Sequence, residues 1–268
     1  MIRANVYRVL AGAAVVLIAL AALAPESGAV SPIPNSAVIR TRIFNDCQTS
    51  LLTTTNNYPA EVAIEDCLDC TSGFANLHNW RFSSDGSTPL VFNNNDGFRF
   101  CADLTISGTG QGEAGLQLAP WWSQDVDGRL NVRTTDGEVA CFGGRLPFYS
   151  FTAQHSVVYA RGNMIHLEIK YLPNGLSQAN PGTIEYTVIY LGQTYTSPVL
   201  PFDQGNPNEP YGQWGILNDA RVGGHLQAFI QAGNPTCLEA SWANICYEDL
   251  GTVAVEPATW GSIKSFYR

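Results

Sequence analysis

"IHLEIKYLPNGLSQANPGTIEYTVIYL", residues 165–191, decides the fold. In IHLEIKYL, residues 165–172, apolar and polar side chains alternate, the period of a strand that lays one face on a core. TIEYTVIYL, residues 183–191, repeats the pattern. Between them Asn174-Gly175 supplies residues that tolerate the positive φ of a tight turn.

The same rhythm extends in both directions. PLVFN, FRFCADLTI, AGLQLAP, RLNVRT, VACFGG and FYSFTA precede this pair, and QTYTSPVL, HLQAFIQ and SWANICYE follow it. Each has the length of an ordinary strand, and Val, Ile, Thr, Tyr and Phe dominate them. Asp85-Gly86, Asp96-Gly97, Asp127-Gly128 and Asp136-Gly137 fall between runs as turns. No convincing amphipathic helix interrupts the series. The pattern predicts an all-β chain folded as a two-sheet antiparallel sandwich. In YGQWGILNDARVGGHLQAFIQ, residues 211–231, the expectation is a hairpin turning at Asn218-Asp219. Leu226, Ala228 and Ile230 would face the core, with His225, Gln227 and Phe229 on the other side. Gly223 and Gly224 would allow a bulge or a close backbone approach.

The two ends read differently. Arg3 and Arg8 precede an apolar run, Leu10 to Ala24, with small residues Ser27-Gly28-Ala29 behind it. This resembles a bacterial Sec-type signal, so residues 1–29 are expected to be removed and the chain secreted or held at the cell surface. No segment has the roughly 20 apolar residues of a membrane span. Residues 30–250 form the expected domain. In residues 251–268, a spacer at Val255–Ala258 leads to Trp260, Ile263 and Tyr267, which share a face if helical. That tail either docks on the sandwich or attaches the chain to another surface protein.

The chain carries a formal charge of −9, one unit more negative once Arg3, Arg8 and Glu26 are removed. An acidic surface argues against nucleic acid or anionic membrane as partner. Of seven cysteines, an odd number, most are expected in disulfides, the default outside the cytoplasm. Cys237 and Cys246 could staple a hairpin, Cys101 and Cys141 could meet across strands, and Cys47 could join Cys67 or Cys70. The alternative is zinc held by Cys47, Cys67, Cys70 and His78.

The succession GLQLAPWW, GRLNVRTTDGEVACFGG, GNMIHLEIKYLPNG, IEYTVIYLGQTYTSPVL, QWGILNDARVGGHLQAFI and ASWANICYEDL resembles the concanavalin A-like lectin/glucanase superfamily, laminin-G-like modules included. The resemblance runs from about Trp80 to Leu250 and implies a jelly-roll sandwich. That fold hosts lectins, hydrolases and lyases, so it licenses no activity by itself. GxSxG and HExxH are absent, and so is the ExDxxE strand motif of laminarinase-like enzymes.

The expected function is a non-catalytic carbohydrate-binding or adhesion module. Sugar rings would stack on aromatics, and polar side chains would bond their hydroxyls. The candidates are Trp121, Trp122, Tyr149, Arg145, Trp214, His225 and Gln227. A glycan-cleaving enzyme, hydrolase or lyase, is the alternative, with Glu168 and Glu185 as the carboxylate pair such chemistry needs. A structural surface or assembly protein is the third. Asp125 and Asp127, in DVDG, are candidate ligands for a structural calcium.

Overall fold

The structure is a computed structural model that describes residues 33–118, 128–143, 146–202, 214–217, 219–233 and 235–252. The expected signal segment and the tail from Val253 onward lie outside the described residues.

Two antiparallel sheets face each other as a jelly-roll sandwich. One has seven strands in the order β1 (Ser36–Asn45), β4 (Ala75–Ser83), β14 (Val222–Phe229), β6 (Gln111–Leu118), β7 (Gly128–Arg133), β8 (Val139–Phe142) and β9 (Tyr149–Ser150). The other runs β12 (Gln193–Thr196), β11 (Thr183–Tyr190), β10 (Met164–Leu172), β5 (Asp96–Gly108), β15 (Thr236–Thr252), β3 (Glu61–Leu68) and β2 (Leu51–Asn57). A short β13 (Leu200–Pro201) also pairs with β11.

The opening stretch forms β10 and β11, paired from Ile165↔Tyr190 to Leu172↔Thr183. Ile165, Leu167, Ile169 and Tyr171 are buried, as are Ile184, Tyr186 and Val188 across from them. Between the sheets lies an aromatic seam. Trp80 meets Phe82 edge-on at 5.3 Å and Trp242 at 6.2 Å, and Phe82 meets Phe100 at 5.9 Å. Such pairs add about 0.5–1.5 kcal/mol each to the burial itself. Gly224 belongs to this packing: a Cβ there would stand 2.4 Å from Trp80 Nε1 and 2.9 Å from Trp242.

Local expectations are corrected in two places. Residues 214–217 form no strand, and β14 pairs with β4 and β6 rather than with the stretch before it. FYSFTA breaks after Ser150 into a one-turn helix, α1 (Phe151–His155), because the Ser150 side chain accepts a hydrogen bond from Ala153 N and caps it. The stretch before Trp80 holds β1, β2 and β3.

The disulfides also differ. Cys237 and Cys246 lie on one continuous strand, β15, nine residues and so roughly 30 Å apart at about 3.3 Å per residue. They cannot bond each other. Each instead bonds its cross-strand neighbour: Cys67–Cys237 ties β15 to β3, and Cys101–Cys246 ties it to β5. Cys101 does not reach Cys141, which sits in β8 of the opposite sheet as a free, fully buried thiol. Burial pushes that thiol's pKa far up, so it is inert. Cys47 joins Cys70.

The zinc arrangement fails because its ligands are used elsewhere. Cys47, Cys67 and Cys70 are in disulfides, and His78 Nε2 lies 2.9 Å from Asp66 Oδ2. Arg42 N donates to His78 Nδ1 at 2.9 Å, so Nε2 carries the proton and donates to Asp66. Asn76 Nδ2 donates to the same carboxylate oxygen at 2.8 Å. Burial raises the pKa of the Asp66 carboxyl, but hydrogen bonds from His78, Ser50 and Asn76 outweigh it and bring the value below the usual 3.8.

Candidate functional site

Each strand of the seven-stranded sheet sends alternate side chains to opposite faces. On β4, Trp80 and Phe82 go to the core, so Asn79 and Arg81 go to the other face. On β14, Leu226 and Ala228 go inward, so Gly223, His225 and Gln227 go outward with Asn79. On β6, Glu113, Gly115 and Gln117 share that outer face, and on β7 Arg129 and Asn131 do. An outer face normally meets water and reads as polar for that reason. Here it is polar and buried. Asn79, Arg81, Glu113, Gln117, Arg129, Asn131, His225 and Gln227 are all buried.

Strand register arranges them in rows. One row runs Arg81, Gly223, Gln117, Arg129 across β4, β14, β6 and β7. The next runs Asn79, His225, Gly115, Asn131. Gln227 and Glu113 are opposite each other in the third. Glycine is required at two of these positions. A Cβ on Gly223 would stand 2.0 Å from Trp80 O, and one on Gly115 would stand 2.0 Å from Leu130 O.

The glycine at position 115 has a structural consequence. His225 and Asn131 are two strands apart, about 9.6 Å at the usual strand spacing. No side chain stands between them, so His225 Nε2 reaches Asn131 Oδ1 at 3.0 Å. Arg129 crosses the same row diagonally. Its Nη1 donates to Glu113 Oε1 at 2.9 Å and to Gln227 Oε1 at 2.7 Å. Asn131 Nδ2 donates to the other Glu113 oxygen at 2.9 Å. A continuous polar chain therefore links Gln227, Arg129, Glu113, Asn131 and His225.

On this face Asn79 and His225 keep polar atoms without a partner in the fold. Asn79 has neither its Oδ1 nor its Nδ2 hydrogen-bonded, and His225 Nδ1 has no partner either. Both side chains are completely buried. Unmet buried polar atoms are uncommon, since each costs about 1–3 kcal/mol. Desolvation, helped by the charges of Arg129 and Arg81, holds the His225 imidazole well below its ordinary 6.5, so the ring is neutral. The site can thus offer an amide donor, an amide acceptor and an imidazole lone pair, in a water-poor layer where hydrogen bonds are strong.

Of the residues singled out from sequence, His225 and Gln227 are in this network, though sealed rather than solvent-facing. Tyr149 is not in it. It packs against the core at the sheet's far edge, meets Phe151 edge-on at 5.0 Å and bonds His155 Nε2 through its hydroxyl at 2.8 Å. Trp214 is placed beside Gly182, ahead of β11, where its carbonyl accepts from Gly182 N at 2.6 Å. Trp121, Trp122, Arg145, Asp125 and Asp127 lie outside the described residues. Glu168 and Glu185 are on neighbouring strands of the other sheet, with Glu185 3.9 Å from Lys170 and Glu168 opposite Thr187. Sequence reasoning missed Asn79, Glu113, Arg129 and Asn131. The signal available was polar residues at non-core positions of several strand runs.

No family model matches the chain, and no curated protein matches it. Among solved structures it is similar to an alginate lyase from Alteromonas sp. 272, at 10% identity over 75% of this chain and 95% of that one, TM-score 0.38. A Lotus tetragonolobus seed lectin aligns at 9% identity over 85% and 97%, TM-score 0.37. The exoplasmic/lumenal domain of VIP36, in a Ca2+/Man3GlcNAc-bound form, aligns at 10% identity over 82% and 86%, TM-score 0.37. At this level of overlap the two-sheet sandwich rests on the chain's own strand pairing.

Proposed function

We propose that the protein is a secreted carbohydrate-binding module whose glycan contacts are the polar side chains on the outer face of its seven-stranded sheet, buried in this structure and reached when that face opens. The observation that carries this reading is a pair of fully buried side chains, Asn79 with neither amide atom hydrogen-bonded and His225 with its Nδ1 unpartnered, beside Gly115 and Gly223. A fold with no further purpose for these atoms gains stability by losing them; a ligand rich in hydroxyls supplies the missing bonds. Three disulfides among the described residues suit an oxidising compartment. Recognition here is by hydrogen bonding, while the aromatic share expected from Trp121 and Trp122 remains for mutation to assign.

A second reading is a glycan-cleaving enzyme on the same face. It is favoured by the neutral His225 with a free nitrogen, the form in which an imidazole takes a proton. Both readings are tested on an array of neutral and acidic polysaccharides, with calcium and with EDTA. Saturable retention of one sugar class without new chain ends supports the binding module. New chain ends, abolished in His225→Ala, replace it with the enzyme. No retention under either condition moves the structural surface protein to first place. Loss with EDTA assigns calcium to the site.

A further inference from the structure

The orientation of every group in the Glu113–Asn131–His225 chain follows from its first member. The Glu113 carboxylate, paired with Arg129 2.9 Å away, only accepts hydrogen bonds. Asn131 must therefore turn its Nδ2 toward Glu113 Oε2, at 2.9 Å, which leaves Oδ1 facing His225 at 3.0 Å. An amide oxygen only accepts, so His225 Nε2 carries the ring proton. A neutral imidazole has one proton, and Nδ1 is left as a bare lone pair. That atom is buried without a partner. Directly across the strand pair is Asn79, whose Cβ lies about 4.5–5.5 Å from that of His225 by sheet geometry. Asn79 Oδ1 and Nδ2 are also buried and unpartnered.

We infer that this relay makes His225 a fixed acceptor and that, together with Asn79, it selects a pair of adjacent sugar hydroxyls over a carboxylate or sulfate at this point of the ligand. The inference rests on the glycan reading of the face. One hydroxyl donates its proton to His225 Nδ1 and accepts from Asn79 Nδ2. Its neighbour donates to Asn79 Oδ1. An anionic oxygen has no proton to give and would set lone pair against lone pair in a dry layer. Glu113 and Asn131 are positioning residues, since they act through His225.

The test is long-range 1H–15N correlation NMR on the mature protein labelled at histidine, with the His225 signals identified by their loss in His225→Gln. Without ligand, Nε2 is expected to be protonated and Nδ1 bare, and the Glu113→Gln variant is expected to mix the two tautomers. Methyl α-D-mannopyranoside, methyl β-D-galactopyranoside and sodium D-glucuronate are then titrated, alongside the fully O-methylated glycosides. At least one neutral glycoside should move the Nδ1 resonance with at least tenfold lower half-saturation than its O-methylated form. A protonated Nδ1 in the free protein overturns the inference, and so does O-methylated sugar binding as well as free sugar. If the tautomer is as stated and no sugar moves the signal, the glycan reading fails while the acceptor assignment of His225 stands.

Discussion

Replacing Asn79 by leucine should stabilise the protein while removing its binding. Asn79 sits on β4, the second strand of the seven-stranded sheet, between β1 and β14, with no exposed surface and two amide atoms unpartnered. Each such atom costs about 1–3 kcal/mol relative to a satisfied or apolar group. Leucine has similar bulk, removes both atoms and adds apolar burial. Some of that gain is spent on fitting a branched side chain beside His225, which leaves about 2 kcal/mol. For a domain of this size each kcal/mol moves Tm by about 2–4 °C, so Tm should rise by about 4–8 °C. The assay is urea unfolding followed by tryptophan fluorescence, with a calorimetric scan alongside. An unchanged m-value would show that the shift is in stability rather than in the compactness of either state. A loss of 1 kcal/mol or more would refute the reasoning, because it would mean that Asn79 is hydrogen-bonded and structural.

The opposite sign is expected one strand away. Glu113→Ala takes away the acceptor of Asn131 Nδ2 and one charged hydrogen bond of Arg129, and should cost about 1–3 kcal/mol in the same urea experiment. Gly115→Val puts a side chain 2.0 Å from Leu130 O in a central strand, and should abolish soluble, folded protein on expression. Among disulfides, the Cys67–Cys237 loop of 170 residues should contribute about 5 kcal/mol and the Cys47–Cys70 loop of 23 about 3, read by comparing the paired alanine variants. Asp66 has a folded pKa below its unfolded one. Its contribution is therefore complete above about pH 4 and is lost as pH falls through the folded value. Asp66→Asn should be less stable than wild type at pH 7, with the difference shrinking toward pH 2.

The sandwich was legible because strands such as β10 bury one face and wet the other, so polarity alternates along the chain: Ile165, His166, Leu167, Glu168. The site was only half legible for the same reason. His225 and Gln227 stood out as polar residues between apolar ones, which marks a face but not whether it is wet. That they share a sealed layer with Asn79, Glu113, Arg129 and Asn131 depends on pairing between strands up to about 150 residues apart in sequence. Local spacing carries no such information. It also misled the disulfide assignment: Cys237 and Cys246 are near in sequence because they share a 17-residue strand, and that strand holds them apart. Cys141, in an equally strand-like run, belongs to the other sheet.

The most direct test of the account is titration calorimetry of wild type and Asn79→Leu side by side against the polysaccharide class retained on the array. Wild type is expected to bind saturably, and the variant, folded and more stable, to bind at least tenfold more weakly. Equal affinity in the two proteins would contradict it and move recognition away from the polar face of the seven-stranded sheet.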